Sequence, residues 1–256
     1  MDVIIFSGQS NMQGQTESLP YTSCVRGAYE YKFLQNAVVP LRHPVGEDIG
    51  DGLLLAAHEG HGSLVPAFCR AYVRETGRKV LAVHAAKGAT TVAEWLPEHP
   101  SGRYDAFLRK VQGAFRAAGK KDRVAVVWLQ GESDALESVS QQVYEERLQA
   151  LRARLAQDVG QDVFAIIRVG KFARDERDIP VIKAQEHLCA AGDFVMLTRV
   201  TGQCTEQPEK YINPFAAGHY NNRAMEKIGS AAGSNLARFY AGQTPVLEKE
   251  PYPELR

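Results

Sequence analysis

Cysteine is scarce in this sequence: Cys24, Cys69, Cys189 and Cys204 are the only four in 256 residues, and none forms a CxxC pair. That spacing excludes a zinc ribbon and a dithiol redox motif, and it favours free, mostly buried thiols in a reducing compartment over two disulfides. Net charge is also missing. Thirty Lys and Arg offset thirty Asp and Glu, so no bulk basic field draws the chain to nucleic acid or to an anionic membrane. No apolar run approaches the roughly 18 residues needed to span a bilayer. No basic segment followed by an apolar one marks a secretory leader, and no Asn-x-Ser/Thr sequon occurs. Together these point to the cytoplasm. No GxGxxG or P-loop glycine run is present, which counts against a nucleotide-binding flavodoxin-like protein.

What is present is ordinary in bulk and informative in order. Hydrophobic residues make up 45% and charged residues 23% of the chain, enough for one large domain with its own core. Five short, nearly continuous apolar runs, at 2–6, 79–85, 123–130, 162–170 and 193–200, read as strands buried on both faces of a parallel sheet. Amphipathic helical patterns at 64–77, 103–119, 140–157, 178–192 and 221–240 lie between and after them. Strand alternating with helix predicts an α/β fold. Residues 15–62 read as an irregular excursion near the site. The Pro- and Glu-rich segment 241–256 reads as a loosely packed tail after a domain spanning 1–240.

In an open parallel sheet, ligands bind beyond the carboxyl ends of the strands, where the strand order reverses. The residues just after each apolar run are therefore the candidates. The first run delivers "GQSNM" (8–12), the second "KGATTVAEW" (87–95) and the third "QGESDA" (130–135). Ser10 alone reads as a helix N-cap. With a histidine and oxyanion donors it reads as a nucleophile. His219, just before the last helix, is placed to return to the same edge. "HEGH" (58–61) lacks the HExxH spacing that would set both rings on one helix face, so no metal site is expected.

These blocks, in this order and at these separations, resemble the SGNH-hydrolase superfamily. Within it they are similar to the sialate O-acetylesterase-like branch, carbohydrate esterase family 6, from Asp2 to about Tyr240. The resemblance implies a three-layer α/β/α fold, with a five-stranded parallel sheet in the flavodoxin-like order 2-1-3-4-5. It implies a cofactor-independent serine esterase that removes O-acetyl groups from carbohydrates such as sialic acid or acetylxylan. Carried over position by position, Ser10 matches the nucleophile and His219 the general base. The backbone N–H groups of Ser10 and Gly88 and the side chain of Gln130 match the oxyanion hole.

The sequence departs from the pattern twice. Ala89 stands where many relatives have a second glycine, and Ala216 stands where the superfamily places the aspartate of DxxH. The nearest preceding carboxylate, Glu209, is too far back, so either the acid comes from elsewhere or the site works as a Ser-His dyad; Glu132, which follows the third strand at the same edge and lies in the "QGE" block of the resemblance, is the expected acid. Asp134 is expected to be structural. Asn11 is expected to brace the nucleophile turn beside the substrate, and Trp95 to line the pocket. Lys87 could meet an anionic sugar, although a solvated lysine is the commoner outcome. Two other functions fit the same features: a short-chain lipid or aryl esterase, and a non-catalytic carbohydrate-binding protein on the same scaffold. Oligomeric state is not legible.

Overall fold

The structure is a computed structural model that describes residues 1–21, 23–50, 52–57 and 61–255. Its centre is the strand β1 (Asp2–Gly8), in which every residue is buried. β1 pairs in parallel with β4 (Val80–Ala86) on one side and β5 (Val124–Leu129) on the other. Beyond β5 lie β6 (Val163–Ile167) and β7 (Val195–Thr198), also parallel. The order β4-β1-β5-β6-β7 is the doubly wound order expected for the five apolar runs. Those runs are continuous because helices cover both faces of the strands.

The sheet as a whole has seven strands and is mixed, which corrects the five-stranded parallel expectation. The two additional strands arise in the segment read as irregular. β2 (Ala28–Lys32) pairs in parallel with β4, and β3 (Ala37–Pro40) closes the edge antiparallel to β2. The turn between them is closed by the Asn36 N–H donating to the Phe33 carbonyl, with Asn36 in the left-handed region at φ 47°. β3 alternates half-buried and exposed residues, as a strand with one solvated face does. Such a short alternating run gives no strong signal in sequence.

With the right-handed crossovers that parallel strands favour, this strand order sets α2 (Val65–Thr76) on one face of the sheet and α3 (Arg103–Ala118), α5 (Gln141–Asp158) and α6 (Asp178–Ala190) on the other. α9 (Asn222–Tyr240) then packs along α2. Four shorter helices interrupt the loops: α1 (Ser10–Gln13), α4 (Glu132–Leu136), α7 (Val200–Thr205) and α8 (Pro208–Tyr211).

The C-terminal segment runs back over the β6–β7 edge and is tied down. Tyr252 is fully buried, its hydroxyl bonded to Thr205 and to the Lys171 N–H. Glu250 pairs with the buried Arg168. The four cysteines are unpaired, with Cys69 and Cys204 buried. Among the described residues no helix is long and apolar enough to cross a membrane. Of the "HEGH" stretch, residues 58–60 lie outside the described residues.

Candidate active site

β1 ends where the crossovers diverge, between β4 and β5, and the chain must turn there at once. Gly8 allows it. At φ 138° a Cβ on this residue would lie 2.0 Å from the Leu129 carbonyl oxygen. Gln9 then donates its N–H to that carbonyl (3.0 Å), while its own carbonyl accepts from Met12 and Gln13 to open α1. Ser10 is therefore the first residue of a four-residue helix at the carboxyl edge of the central strand.

Beneath α1 the fully buried His84 presents Nε2 to the carbonyls of Met12 (3.3 Å) and Gln13 (3.2 Å). Carbonyls only accept, so Nε2 carries the proton. Burial, first of all, lowers the His84 pKa to about 3, keeping this prop neutral.

The turn after β4 lies beside Ser10. Lys87 donates its N–H to the Gly8 carbonyl (3.0 Å). A Cβ on Gly88 would come within 3.2 Å of the Ser10 Cβ, so glycine lets the two turns approach closely without displacing a neighbour. The Gly88 N–H is engaged by Gln13 Oε1 at 2.8 Å, and Gln13 Nε2 in turn donates to the Ala56 carbonyl at 2.8 Å. Ala89 adopts φ 54°, a left-handed conformation in which glycine is the unstrained residue.

The turn after β5 carries the most buried polarity. Gln130 is fully buried, and its amide nitrogen donates to the Thr90 carbonyl (2.9 Å), Asp134 Oδ2 (2.5 Å) and Gln9 Oε1 (3.2 Å). Its position thus differs from the expected one: the amide faces inward, and Gln130 is not among the residues lining the cavity. Asp134 also accepts from the Val92 N–H at 2.9 Å, so it ties the turns after β4 and β5 together. Burial is the main reason its pKa rises to about 6.

Glu132 is 2% exposed, and burial pushes its pKa up to about 7. Its Oε1 accepts from Asn11 Nδ2 at 2.8 Å, and its Oε2 has no hydrogen-bond partner among the described residues. Asn11 passes the connection on. Its Oδ1 accepts from the Tyr220 N–H (3.2 Å), and its Nδ2 also faces the Gly218 carbonyl (3.5 Å). Asn11 therefore holds the backbone on both sides of His219. Among the described residues Glu132 hydrogen-bonds Asn11, which connects it to the histidine loop.

That loop is shaped by an isolated bridge between Ile212 and Tyr220 and by the Asn213 N–H donating to the His219 carbonyl at 2.7 Å. The His219 Nδ1 lies 3.1 Å from the Ala217 carbonyl. Since a carbonyl only accepts, Nδ1 is the donor in this contact. Phe172 packs edge-on against the imidazole, with centroids 5.7 Å apart. Glu209 is exposed on α8.

Ser10, Gly88 and His219 line one open cavity of about 440 Å³, together with Gln9, Lys87 and Phe172. Trp95 is not part of it. The indole is buried against Phe107 and Trp128, with its N–H donated to Thr90 at 3.0 Å. Among the described residues no group of three or more His, Cys, Asp or Glu side chains is arranged to hold a metal ion.

A family model described as carbohydrate esterase, sialic acid-specific acetylesterase, matches residues 1–232. The chain belongs to this family. It is a carboxylic ester hydrolase of the carbohydrate acetylesterase kind, and the matched range includes the turns after β1, β4 and β5 just described.

Solved structures agree in fold. A protein from Arabidopsis thaliana is 18% identical, with a TM-score of 0.71 over 94% of this chain and 98% of its own. NanS is 16% identical, with a TM-score of 0.65 over the same shares. A carbohydrate acetylesterase from Xanthomonas citri is 13% identical, with a TM-score of 0.57 over 94% of this chain and 56% of its own. No curated protein matches the chain by sequence.

Three residues in and around the candidate site left no readable trace in the sequence. Phe172, which backs the catalytic-histidine candidate, lies in a loop with no motif. His84 sits inside an apolar strand, where a lone histidine looks like core. Gln9 is hidden within the serine motif as a neighbour of the residue that draws attention.

Proposed function

We propose that this acetylesterase works through Ser10 as nucleophile and His219 as general base. His219 Nε2 takes the Ser10 proton as Oγ attacks the acetyl carbonyl. The protonated ring then gives that proton to the departing sugar oxygen. Water repeats the sequence in reverse roles and releases acetate. Glu132 acts through Asn11 as a positioning residue, fixing the loop that carries His219. The single observation that carries this reading is the meeting of Ser10, Gly88 and His219 at one cavity on the switch-point edge of the sheet.

The cavity also favours a sugar ester over a lipid ester. Gln9, Gln13, Gln15, Lys87 and Ser133 line it alongside the apolar Leu55, Leu136 and Phe172. That lining suits hydroxyl groups around a short acyl chain better than a long hydrocarbon. Lys87 supplies a positive charge at the same cavity, which suits an acidic sugar such as sialic acid.

Hydrolysis of p-nitrophenyl acetate and of an O-acetylated sialic acid by wild type and Ser10→Ala tests the proposal. Activity in the wild type and a loss of at least about 10³-fold in Ser10→Ala are expected. Folded wild-type protein inactive on both esters would favour the carbohydrate-binding reading instead.

A further inference from the structure

Two of the three expected oxyanion donors are already engaged. The Gly88 N–H is bonded to Gln13 Oε1 at 2.8 Å. The Gln130 amide nitrogen is bonded to the Thr90 carbonyl, Asp134 and Gln9, inside the protein and away from the cavity. A side-chain donor for the tetrahedral intermediate must come from elsewhere, and the residue beside the nucleophile supplies one.

Gln9 is 2% exposed, yet it lines the cavity with Ser10. Its amide orientation is fixed by chemistry. Oε1 accepts from the Gly131 N–H (3.2 Å), the Ser133 N–H (3.1 Å) and Gln130 Nε2 (3.2 Å). Backbone N–H groups only donate, so the atom facing them is the oxygen and the other terminal atom is nitrogen. Nε2 donates to no acceptor among the described residues, and it is not one of the sealed, unpartnered atoms of the interior. It is a buried residue's free donor at the cavity wall.

We infer that Gln9 is a catalytic residue of this esterase, its Nε2–H donating to the oxyanion that forms on the acetyl carbonyl. The inference rests on Ser10 being the nucleophile. As Oγ bonds to the carbonyl carbon, the C=O π pair moves onto oxygen, and Gln9 stabilises that charge until collapse expels the sugar oxygen. The three donors on Oε1 hold the amide in place beforehand, so no reorganisation is needed as the charge develops. They also polarise the amide and make its N–H groups better donors.

Gln9→Glu keeps an acceptor for all three donors and removes the free N–H; Gln9→Met removes both. With p-nitrophenyl acetate, each is expected to lower kcat by about 10²- to 10³-fold with KM within threefold, and Gln9→Glu is expected to keep the wild-type Tm. Either variant melting as wild type and retaining kcat within fivefold would overturn the assignment. A second measurement needs no variant. Phosphonylation of Ser10 in the wild-type protein puts a P–O oxygen where the oxyanion sits, and should move the Gln9 side-chain amide proton resonance downfield. An unmoved resonance in the phosphonylated protein counts equally against Gln9. The underlying reading fails separately: Ser10→Ala would then keep wild-type activity, and the role of Gln9 would fall with it.

Discussion

Glu132 lies at the edge where the sequence reading expects an acid, but its hydrogen bond goes to Asn11. Its carboxylate is buried and bonded to Asn11, and Asn11 grips the backbone around His219. If Glu132 acts as proposed, by positioning, the relay needs an acceptor there rather than a charge. Glu132→Gln supplies that acceptor, and kcat on p-nitrophenyl acetate should stay within about tenfold of wild type; a directly bonded triad acid would lose about 10⁴-fold on the same amidation. Glu132→Ala leaves Asn11 without its partner and should be the slower of the two. A Gln variant as slow as the Ala variant would restore Glu132 to the role of charged acid. Ser10 and His219 stand out as candidates in the sequence because motif and position agree, and both line the cavity. Gln9 and Asn11 were not separable from their neighbours, since what distinguishes them is which partners surround them after folding.

At the level of elements, legibility followed burial. β1, β4, β5 and β6 are buried along their whole length, so their apolar runs are unbroken and visible. β2 carries Glu30 and Lys32, and β3 is half solvated, so neither produces a run. Glu30 is buried with Lys32 at 2.9 Å, and its oxygen also accepts from the Gly46 N–H. A buried acidic residue in a strand is a feature that periodicity reads as loop.

The pairing of α2 with α9 is legible only in hindsight. Gly229 and Gly233, one turn apart on α9, lie against the backbone of α2. A Cβ would meet the Leu64 carbonyl oxygen at 2.4 Å and the Phe68 carbonyl oxygen at 2.2 Å. Alanine is the better helix former by about 1 kcal/mol. Overpacking against rigid backbone costs about 1–3 kcal/mol and occasionally more. Contact with backbone at 2.2 Å puts Gly233→Ala at the upper end, so packing wins and the variant should lose stability by about 1–2 kcal/mol net. Urea denaturation measures this directly, and an unchanged or raised midpoint would show that the helices can part without cost.

For the whole molecule, buried ionisable groups of opposite kind shape the response to pH. His84 and His43 are lowered from 6.5 to about 3 and about 4, mainly by burial. Each is neutral in the fold but takes up a proton when unfolded below pH 6.5, so each withdraws stability as pH falls. Glu132 and Asp134 are raised from 4.5 and 3.8 to about 7 and about 6, again mainly by burial. Each is protonated in the fold but ionised when unfolded, so each withdraws stability as pH rises toward its folded value. Between pH 4.5 and 6 all four are active, two binding one more proton in the unfolded state and two one fewer, and their slopes oppose one another. Replacing Glu132 by Gln removes one opposing slope. Relative to wild type, the unfolding free energy of the variant should therefore rise by about 1.4 kcal/mol per pH unit from pH 4.5 toward 7. Urea titrations of both proteins at pH 5 and pH 6 isolate that difference. Parallel behaviour of the two would mean that Glu132 is ionised in the folded protein across this range, and that Asn11 bonds a carboxylate anion in the active enzyme.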